Sequence, residues 1–213
     1  MVIIADIMTC QFRALSFDLD GTLASVRWRR LGLWRGFLRD PKILGAYEGA
    51  VRALRGRRVL DWEAELVREV CARSGEGRAR VEEVLGAQIG RAWPDLFADA
   101  PVPAPVAALL RAADARGLPR VVVSDHPSMD KLARMGLGGW SAVIDCSALG
   151  ALKPLPDGLW AAAATLGLRP REILHVGDRW DTDGLAAAAA GCGFLCCAPL
   201  RGGEQGLVRA AGL

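Results

Sequence analysis

The sequence is poor in several features that mark particular classes of protein. It has only two histidines, and none of its six cysteines forms a C-x-x-C pair, so a zinc site is not expected. The net charge of +3 is small and argues against a nucleic-acid partner. The N-terminus lacks the basic segment of a secretory signal, and residues 184–200, the longest later stretch of low charge, are interrupted by Gly191, Gly193 and Pro199. We therefore expect a soluble protein in a reduced, cytoplasmic compartment, with no membrane partner.

Apolar residues make up 52% of the 213 residues, which is ample for a core. A short apolar run at residues 12–17 predicts a first buried strand. From Pro101 onward, apolar β-rich runs alternate with segments of helical spacing, and the predicted strands are 120–124, 142–146, 173–176 and 194–197. Strands without polar alternation, each separated by a helix, indicate a parallel sheet covered on both faces. The fold class is therefore α/β, with a Rossmann-like parallel sheet.

Between these strands lies an insertion of different character. Residues 25–98 show no convincing strand, and apolar residues at helical spacing predict helices at 29–39, 44–54, 62–73 and 78–92. We therefore predict a Rossmann-like core made of residues 1–24 and 99–213, with an all-helical domain inserted at 25–98. Its first part is basic, and we interpret most of these charges as a solvated face: Arg27, Arg29, Arg30, Arg35, Arg39, Lys42, Arg52, Arg55, Arg57 and Arg58, opposed by Asp40 and Glu48.

The segment Asp18-Leu-Asp-Gly-Thr22 follows the first strand. Residues two apart in an extended chain point to the same side, so Asp18 and Asp20 can face one small volume. Such a pair needs a cation, a shared proton or a chemical role. A solvated turn is the plain alternative, since Asp and Gly are common turn residues. A calcium loop of the EF-hand type is excluded, because Leu23 and Arg29 stand where its glycine and glutamate belong.

Further polar residues follow the later strands. Ser124 and Asp125 end the second strand, and Lys153 lies in a loop before a helix. Three acids follow the fourth strand: Asp178, Asp181 and Asp183. Ligands of such sheets bind outside the carboxyl ends of the strands, so the sequence predicts one site built from four loops.

These elements, in this order, resemble the haloacid dehalogenase-like hydrolase superfamily. The resemblance covers residues from about Phe12 to Ala198 and is carried by Asp18-Leu-Asp20-Gly-Thr, Ser124, Lys153-Pro154 and the Gly177-Asp178 segment ending at Asp183. It implies that Asp18 is the nucleophile of a phosphoryl transfer and that Asp20 is the general acid and base. Many relatives have Ser-Asn after the second strand, whereas this chain has Ser-Asp.

The resemblance also implies a metal and an anion site. Mg²⁺ is expected on Asp18, Asp178 and the backbone carbonyl of Asp20, with Asp183 as the further acid and Asp181 as its rival. Phosphoryl oxygens are expected to contact Ser124 and Lys153, with additional contributions from two neighbours, Thr22 and Asp125.

The implied function is a phosphatase for a small phosphorylated metabolite, because the helical insertion resembles a cap that closes over the site. Members that cleave carbon–halogen bonds generally lack an acid equivalent to Asp20. A phosphomutase using the same aspartyl-phosphate is the nearest alternative. A binding or regulatory protein that uses the basic helical segment is an alternative of another class. The sequence specifies neither the substrate nor the oligomeric state.

Overall fold

The computed structural model describes residues 12–24, 38–197, 208 and 211–212. Its centre is a five-stranded sheet in the order β3-β2-β1-β4-β5. All four pairs of neighbouring strands are parallel. The strands are β1 (Ala14–Phe17), β2 (Arg120–Ser124), β3 (Ala142–Asp145), β4 (Ile173–Gly177) and β5 (Gly193–Cys196). This confirms the predicted α/β fold and places the strand that leads to Asp18 in the middle of the sheet.

Eight α-helices surround or extend this sheet within the described part of the chain. They are α1 (Pro41–Leu54), α2 (Trp62–Ser74), α3 (Arg78–Leu85), α4 (Trp93–Asp95), α5 (Ala104–Ala115), α6 (Met129–Arg134), α7 (Asp157–Leu166) and α8 (Leu185–Ala190). π-Helical segments at Gly86–Ala92 and Trp180–Gly184 precede α4 and α8. The helices from α5 onward connect successive strands, as a parallel sheet requires.

Both faces of the sheet are buried. Along β2, Val121 and Val123 pack in one apolar cluster with residues of α7 and α8, whereas Val122 packs in another with residues of α5. This alternation follows from the two-residue period of a strand. The apolar run of the sequence therefore reflects a strand covered by helices on each side.

Helices α1 to α4 form what we call the helical block, residues 38–98. The predicted helix at 78–92 is not one α-helix: α3 ends at Leu85, and residues 86–92 continue as a π-helix. Gly86 and Gly90 fall in this segment, and glycine weakens the α-helical conformation. The predicted helix at 29–39 lies almost entirely outside the described residues.

The helical block contacts the sheet region directly. The amide of Val59 donates to the carbonyl of Gly150 over 2.9 Å, and Arg58 forms an ion pair with Asp157 at 2.8 Å. Buried side chains of α1 to α3 share one apolar cluster with Val121 of the sheet. No helix among the described residues has the length and apolarity that a membrane crossing needs.

Candidate active site

The loop after β1 presents the first acid of the site. The carbonyl of Leu19 accepts the amides of Thr22, Leu23 and Ala24, which folds the chain sharply back on itself. Gly21 has a φ of 112°, and a Cβ there would lie 2.4 Å from the Oδ2 of Asp178. Only glycine allows this close approach of the loop to a second carboxylate. Asp18 is 6% exposed.

A buried lysine joins the loops after β1 and β4. The ammonium of Lys153 donates to the Oδ1 of Asp18 and to the Oδ1 of Asp183, each over 2.6 Å, and to the carbonyl of Val123 over 3.2 Å. Burial lowers the pKa of Lys153, but the two carboxylates outweigh it and raise that pKa well above its usual value. Lys153 is therefore a fixed cation within the site.

The two acids that share Lys153 differ in their electrostatic surroundings. Burial raises the pKa of Asp18 above the usual range of carboxylic acids, against the lowering effect of Lys153. Burial also tends to raise the pKa of Asp183, but Lys153 and His175 have the larger combined effect and lower this pKa below its usual value. Asp183 additionally accepts the amide of Arg179 at 3.1 Å. Asp183 is thus held ionised as the partner of the lysine.

Three carboxylates lie close enough to share a cation. Asp18, Asp178 and Asp183 each offer an oxygen atom, and these three atoms lie within 4.8 Å of one another. Burial raises the pKa of Asp178, and the negative charge of Asp183 adds to this effect. Clustered carboxylate oxygens of this kind fit a hard divalent cation, which would offset their mutual repulsion.

The structure separates the two acids between which the sequence left a choice. Asp183 is 1% exposed and contacts Lys153, whereas the side chain of Asp181 is 66% exposed. Asp181 pairs with Arg179 at 2.5 Å, and this hydrogen bond lowers its pKa. Asp183, as predicted the likelier of the two, is therefore the acid that the fold brings to the site.

Asp20 follows Asp18 but contacts a different cation. Its Oδ2 accepts from the ammonium of Lys131 over 2.6 Å, while its Oδ1 is buried without a hydrogen-bond partner. Lys131 is 2% exposed and lies 4.9 Å from the centre of the Phe97 ring. The side chain of Asp20 is not one of the three clustered carboxylates. The group of Asp20 that is expected to bind the metal therefore remains its backbone carbonyl.

The predicted phosphate-binding residues divide into two groups. Ser124, Asp125 and Lys153 line one cavity together with Asp18 and Asp20. Ser124 is 1% exposed, and its hydroxyl accepts the amide of His126 at 3.5 Å. Thr22 does not line this cavity: it is fully buried, and its hydroxyl accepts from Cys197 at 3.7 Å. Thr22 therefore supports the loop rather than facing a ligand in this structure.

The cavity has a volume of about 730 Å³ and lies between the sheet edge and the helical block. The block contributes mostly apolar residues together with three polar ones: Leu44, Tyr47, Val51, Ile89, Trp93 and Pro94, and Glu48, Arg55 and Gln88. Tyr47 has its pKa raised by burial, so its hydroxyl stays neutral. The opposite wall carries the charged residues described above. The volume lies within the range of pockets that hold small organic ligands.

A family model for haloacid dehalogenase-like hydrolases matches residues 12–191. The chain belongs to this family. Over 191 residues it is 31% identical to a phosphoglycolate phosphatase of Pectobacterium atrosepticum, covering 84% of this chain and 77% of that relative. The resemblance inferred from the four motifs is therefore confirmed, and the two matches identify this hydrolase as an enzyme of the phosphatase type.

Solved structures with a similar fold are named for different reactions. β-Phosphoglucomutase from Clostridium difficile has a TM-score of 0.61 at 15% identity, with 87% of this chain and 84% of that chain covered. 2-Haloacid dehalogenase from Pseudomonas syringae has a TM-score of 0.60 at 19% identity, with 87% and 86% covered. The fold thus hosts several reactions, and the side chains must select among them.

Three residues near the site belong to none of the motifs on which the sequence analysis relied. Lys131 and Arg55 form ion pairs with Asp20 and Asp125 of the site loops, but each stands in a helical pattern with ordinary charged neighbours. The third, His175 of β4, is fully buried. It also contacts Asp183 at 3.4 Å through Nε2, while Nδ1 shares a 2.9 Å hydrogen bond with Ser16. The other histidine, His126, follows Ser124 by two residues and lines the cavity.

Proposed function

We propose that this hydrolase is a Mg²⁺-dependent phosphatase that cleaves a small phosphorylated metabolite through an aspartyl-phosphate on Asp18. The observation that carries the proposal is the shared Lys153. One buried ammonium lies 2.6 Å from Asp18 and 2.6 Å from Asp183, beside a third carboxylate, in a cavity of substrate size. A carboxylate nucleophile, a fixed cation and a metal-binding cluster are what phosphoryl transfer needs.

The reaction has two displacement steps at phosphorus. A carboxylate oxygen of Asp18 forms a bond to phosphorus while the ester bond breaks, and Asp20 gives its proton to the leaving oxygen. Asp20 then takes a proton from water as the water oxygen attacks phosphorus, and the bond from phosphorus to Asp18 breaks. The products are the free alcohol and inorganic phosphate, and both acids return to their starting states.

The other polar residues orient and stabilise the transferred group. Lys153 and the hydroxyl of Ser124 bind phosphoryl oxygens as negative charge is redistributed. Asp183 accepts a second hydrogen bond from the Lys153 ammonium over 2.6 Å and so helps to hold it beside Asp18. Asp125 acts on the loop of Lys153, not on the phosphate, because a carboxylate does not donate to phosphoryl oxygens.

Asp18, Asp178 and the backbone carbonyl of Asp20 would hold Mg²⁺, with Asp183 beside them. When bound, the ion supplies positive charge that offsets the repulsion between Asp18 and a phosphate dianion. Two observations support this assignment: the three carboxylates lie close together, and the pKa values of Asp18 and Asp178 are raised. A raised pKa means that the ionised form of each acid is disfavoured, and a bound cation would favour that form again.

We further propose that residues 25–98 act as a cap over a core made of 1–24 and 99–213. The described helices of this segment line the cavity with mostly apolar residues and with Glu48, Arg55 and Gln88, whereas the sheet edge supplies Asp18, Lys153 and the other clustered charges. A site covered by a cap favours a small molecule over a phosphoprotein and limits the access of water. The mixed lining favours a substrate whose body beyond the phosphate has both apolar and polar surface.

A panel of phosphate monoesters, incubated with purified protein and Mg²⁺, tests the proposal. The panel includes phosphoglycolate, because the curated relative bears that name, together with sugar phosphates and esters with apolar bodies. We expect release of inorganic phosphate from at least one ester and none with the Asp18→Asn variant. Isomerised sugar phosphate without phosphate release would indicate a mutase. A folded protein that hydrolyses no member of the panel would contradict the proposal.

A further inference from the structure

Arg55 connects the helical block to the loops of the site. It directly follows α1, and its Nη1 donates to the Oδ2 of Asp125 over 2.6 Å and to the carbonyl of Lys153 over 2.5 Å. The other oxygen of Asp125, Oδ1, accepts the backbone amide of Lys153 over 2.9 Å. One guanidinium from the block thus contacts both the loop after β2 and the loop that carries Lys153.

The contact is enclosed and uses both oxygens of the acid. The side chain of Arg55 is 22% exposed and that of Asp125 is 12% exposed. Hydrogen bonds between charged groups at such low exposure are stronger and more directional than those at a surface. Asp125 does not serve as an N-cap for α6: the N-cap is Ser128, and no side chain caps that helix. The acid of the Ser-Asp pair therefore joins Arg55 to the Lys153 backbone.

We propose that Arg55 is a positioning residue that aligns the Lys153 loop with Asp18 when the helical block is seated on the core. The inference rests on the phosphatase mechanism proposed above. Lys153 must place one ammonium against Asp18 and Asp183 at the same time, and its backbone is held by Asp125 on one side and Arg55 on the other. A misplacement of about 1 Å in such a group can reduce turnover about 100-fold.

A second arginine provides a matched comparison. Arg58 also joins the helical block to the sheet region, by donating to Asp157 over 2.8 Å and 3.0 Å. Its side chain is 58% exposed, and Asp157 begins α7 rather than forming the site loop. If an arginine between the block and the core mattered only for seating the block, the two residues would behave alike. Only Arg55 touches the loop of Lys153.

The test compares Arg55→Met, Arg58→Met, Asp125→Asn and the double variant Arg55→Met with Asp125→Asn. We expect Arg55→Met to lower kcat about 10-fold or more with little change in KM, and Arg58→Met to stay within about twofold of the parent. The double variant should lose no more than the stronger single variant, because both changes break the same contact. Arg55→Lys should recover part of kcat, since a single nitrogen makes both contacts.

Any one of several kinetic outcomes would overturn the proposal. These are an unchanged kcat in Arg55→Met, equal losses in Arg55→Met and Arg58→Met, or a loss confined to KM, which would make Arg55 a substrate-binding residue. Multiplied losses in the double variant would likewise show that the two residues act separately.

Hydrogen exchange provides a readout that needs no turnover. The amide of Lys153 should exchange faster in Arg55→Met than in the parent and in Arg58→Met, because Asp125 loses the cation that holds it. Unchanged exchange would contradict the positioning role even if activity fell. A parent enzyme without phosphatase activity would contradict the proposed function instead, and the exchange rates would still decide whether Arg55 holds this loop.

Discussion

The ammonium of Lys131 and the carboxylate of Asp20 form a 2.6 Å ion pair at the wall of the cavity. Lys131 comes from α6 and is almost fully buried, whereas the side chain of Asp20 is 26% exposed. The acid that exchanges protons in the proposed mechanism is thus oriented by one cation, while the nucleophile Asp18 contacts another. The two acids of this short loop therefore contact different lysines, and this difference in environment supports different roles for them.

Lys131→Met tests this pairing. Methionine keeps the apolar stem beside Phe97 but leaves Asp20 without its cation, so we expect kcat to fall about 10- to 100-fold. The free energy of unfolding should fall by about 1–3 kcal/mol, because a charged hydrogen bond is lost. Steady-state kinetics and urea unfolding measure the two effects. Lys42→Met is the control, since Lys42 is 75% exposed and pairs with the surface residue Glu76 at 3.7 Å. Equal kinetics for both variants would contradict the role of Lys131.

Asp183→Asn and Asp181→Asn separate the two acids after β4. Asparagine at 183 removes one negative partner of Lys153, and we expect kcat/KM to fall about 10- to 100-fold, as for other residues that orient groups of a metal site. Asparagine at 181 changes only an exposed pair with Arg179 and should have an effect within about twofold. Steady-state kinetics of both variants, with the ester of the panel that the parent enzyme hydrolyses fastest, measure the two effects. Greater damage from Asp181→Asn would reverse the assignment.

Gly21→Ala should disrupt the carboxylate cluster rather than the fold. The added Cβ would lie 2.4 Å from Asp178, so the acid must move, and we expect Mg²⁺ affinity to fall at least about 10-fold. Gly75→Ala is the matched control: φ is 74°, and nothing lies within 4 Å of its Cβ. It should cost about 1 kcal/mol of stability without changing Mg²⁺ affinity. Calorimetric titration with Mg²⁺ compares the two variants, and equal affinities would refute the close packing at Gly21.

Mg²⁺ binding should release protons. Burial raises the pKa values of Asp18 and Asp178, so at pH values below these raised pKa values both acids hold protons that the metal must displace. Affinity should therefore rise with pH from the mildly acidic range until both acids are ionised. Titrations in two buffers of different ionisation enthalpy measure the number of protons released. An affinity that does not change with pH would show that the acids are already ionised in the metal-free protein.

The fold and the clustering of the candidate site residues were predictable because they rest on local patterns. Apolar runs separated by helical spacing specify a parallel sheet, and the carboxyl ends of its strands must meet at one edge. This reasoning brought Asp18, Ser124, Lys153 and Asp178 together correctly. It also favoured Asp183 over Asp181, although only the packing around Lys153 shows why.

The partners of these residues were not predictable from the sequence. Arg55 reaches Asp125 across 70 residues and Lys131 reaches Asp20 across 111, and neither spacing leaves a periodic signal. Most of the basic residues in this part of the chain were interpreted as a solvated face, and no sequence signal marked Arg55 as the exception that the structure places against the site. The side chains of such long-range pairs depend on how the block is seated, which no local pattern specifies.

The most direct test of the account is to trap the phosphorylated enzyme. Acid quenching during turnover of an ester that the panel identifies, followed by peptide mass spectrometry, should show one phosphoryl group on the peptide 12–24, located at Asp18. The same peptide from Asp18→Asn should carry none. A phosphoryl group on another residue, or steady turnover by Asp18→Asn, would contradict the proposed mechanism.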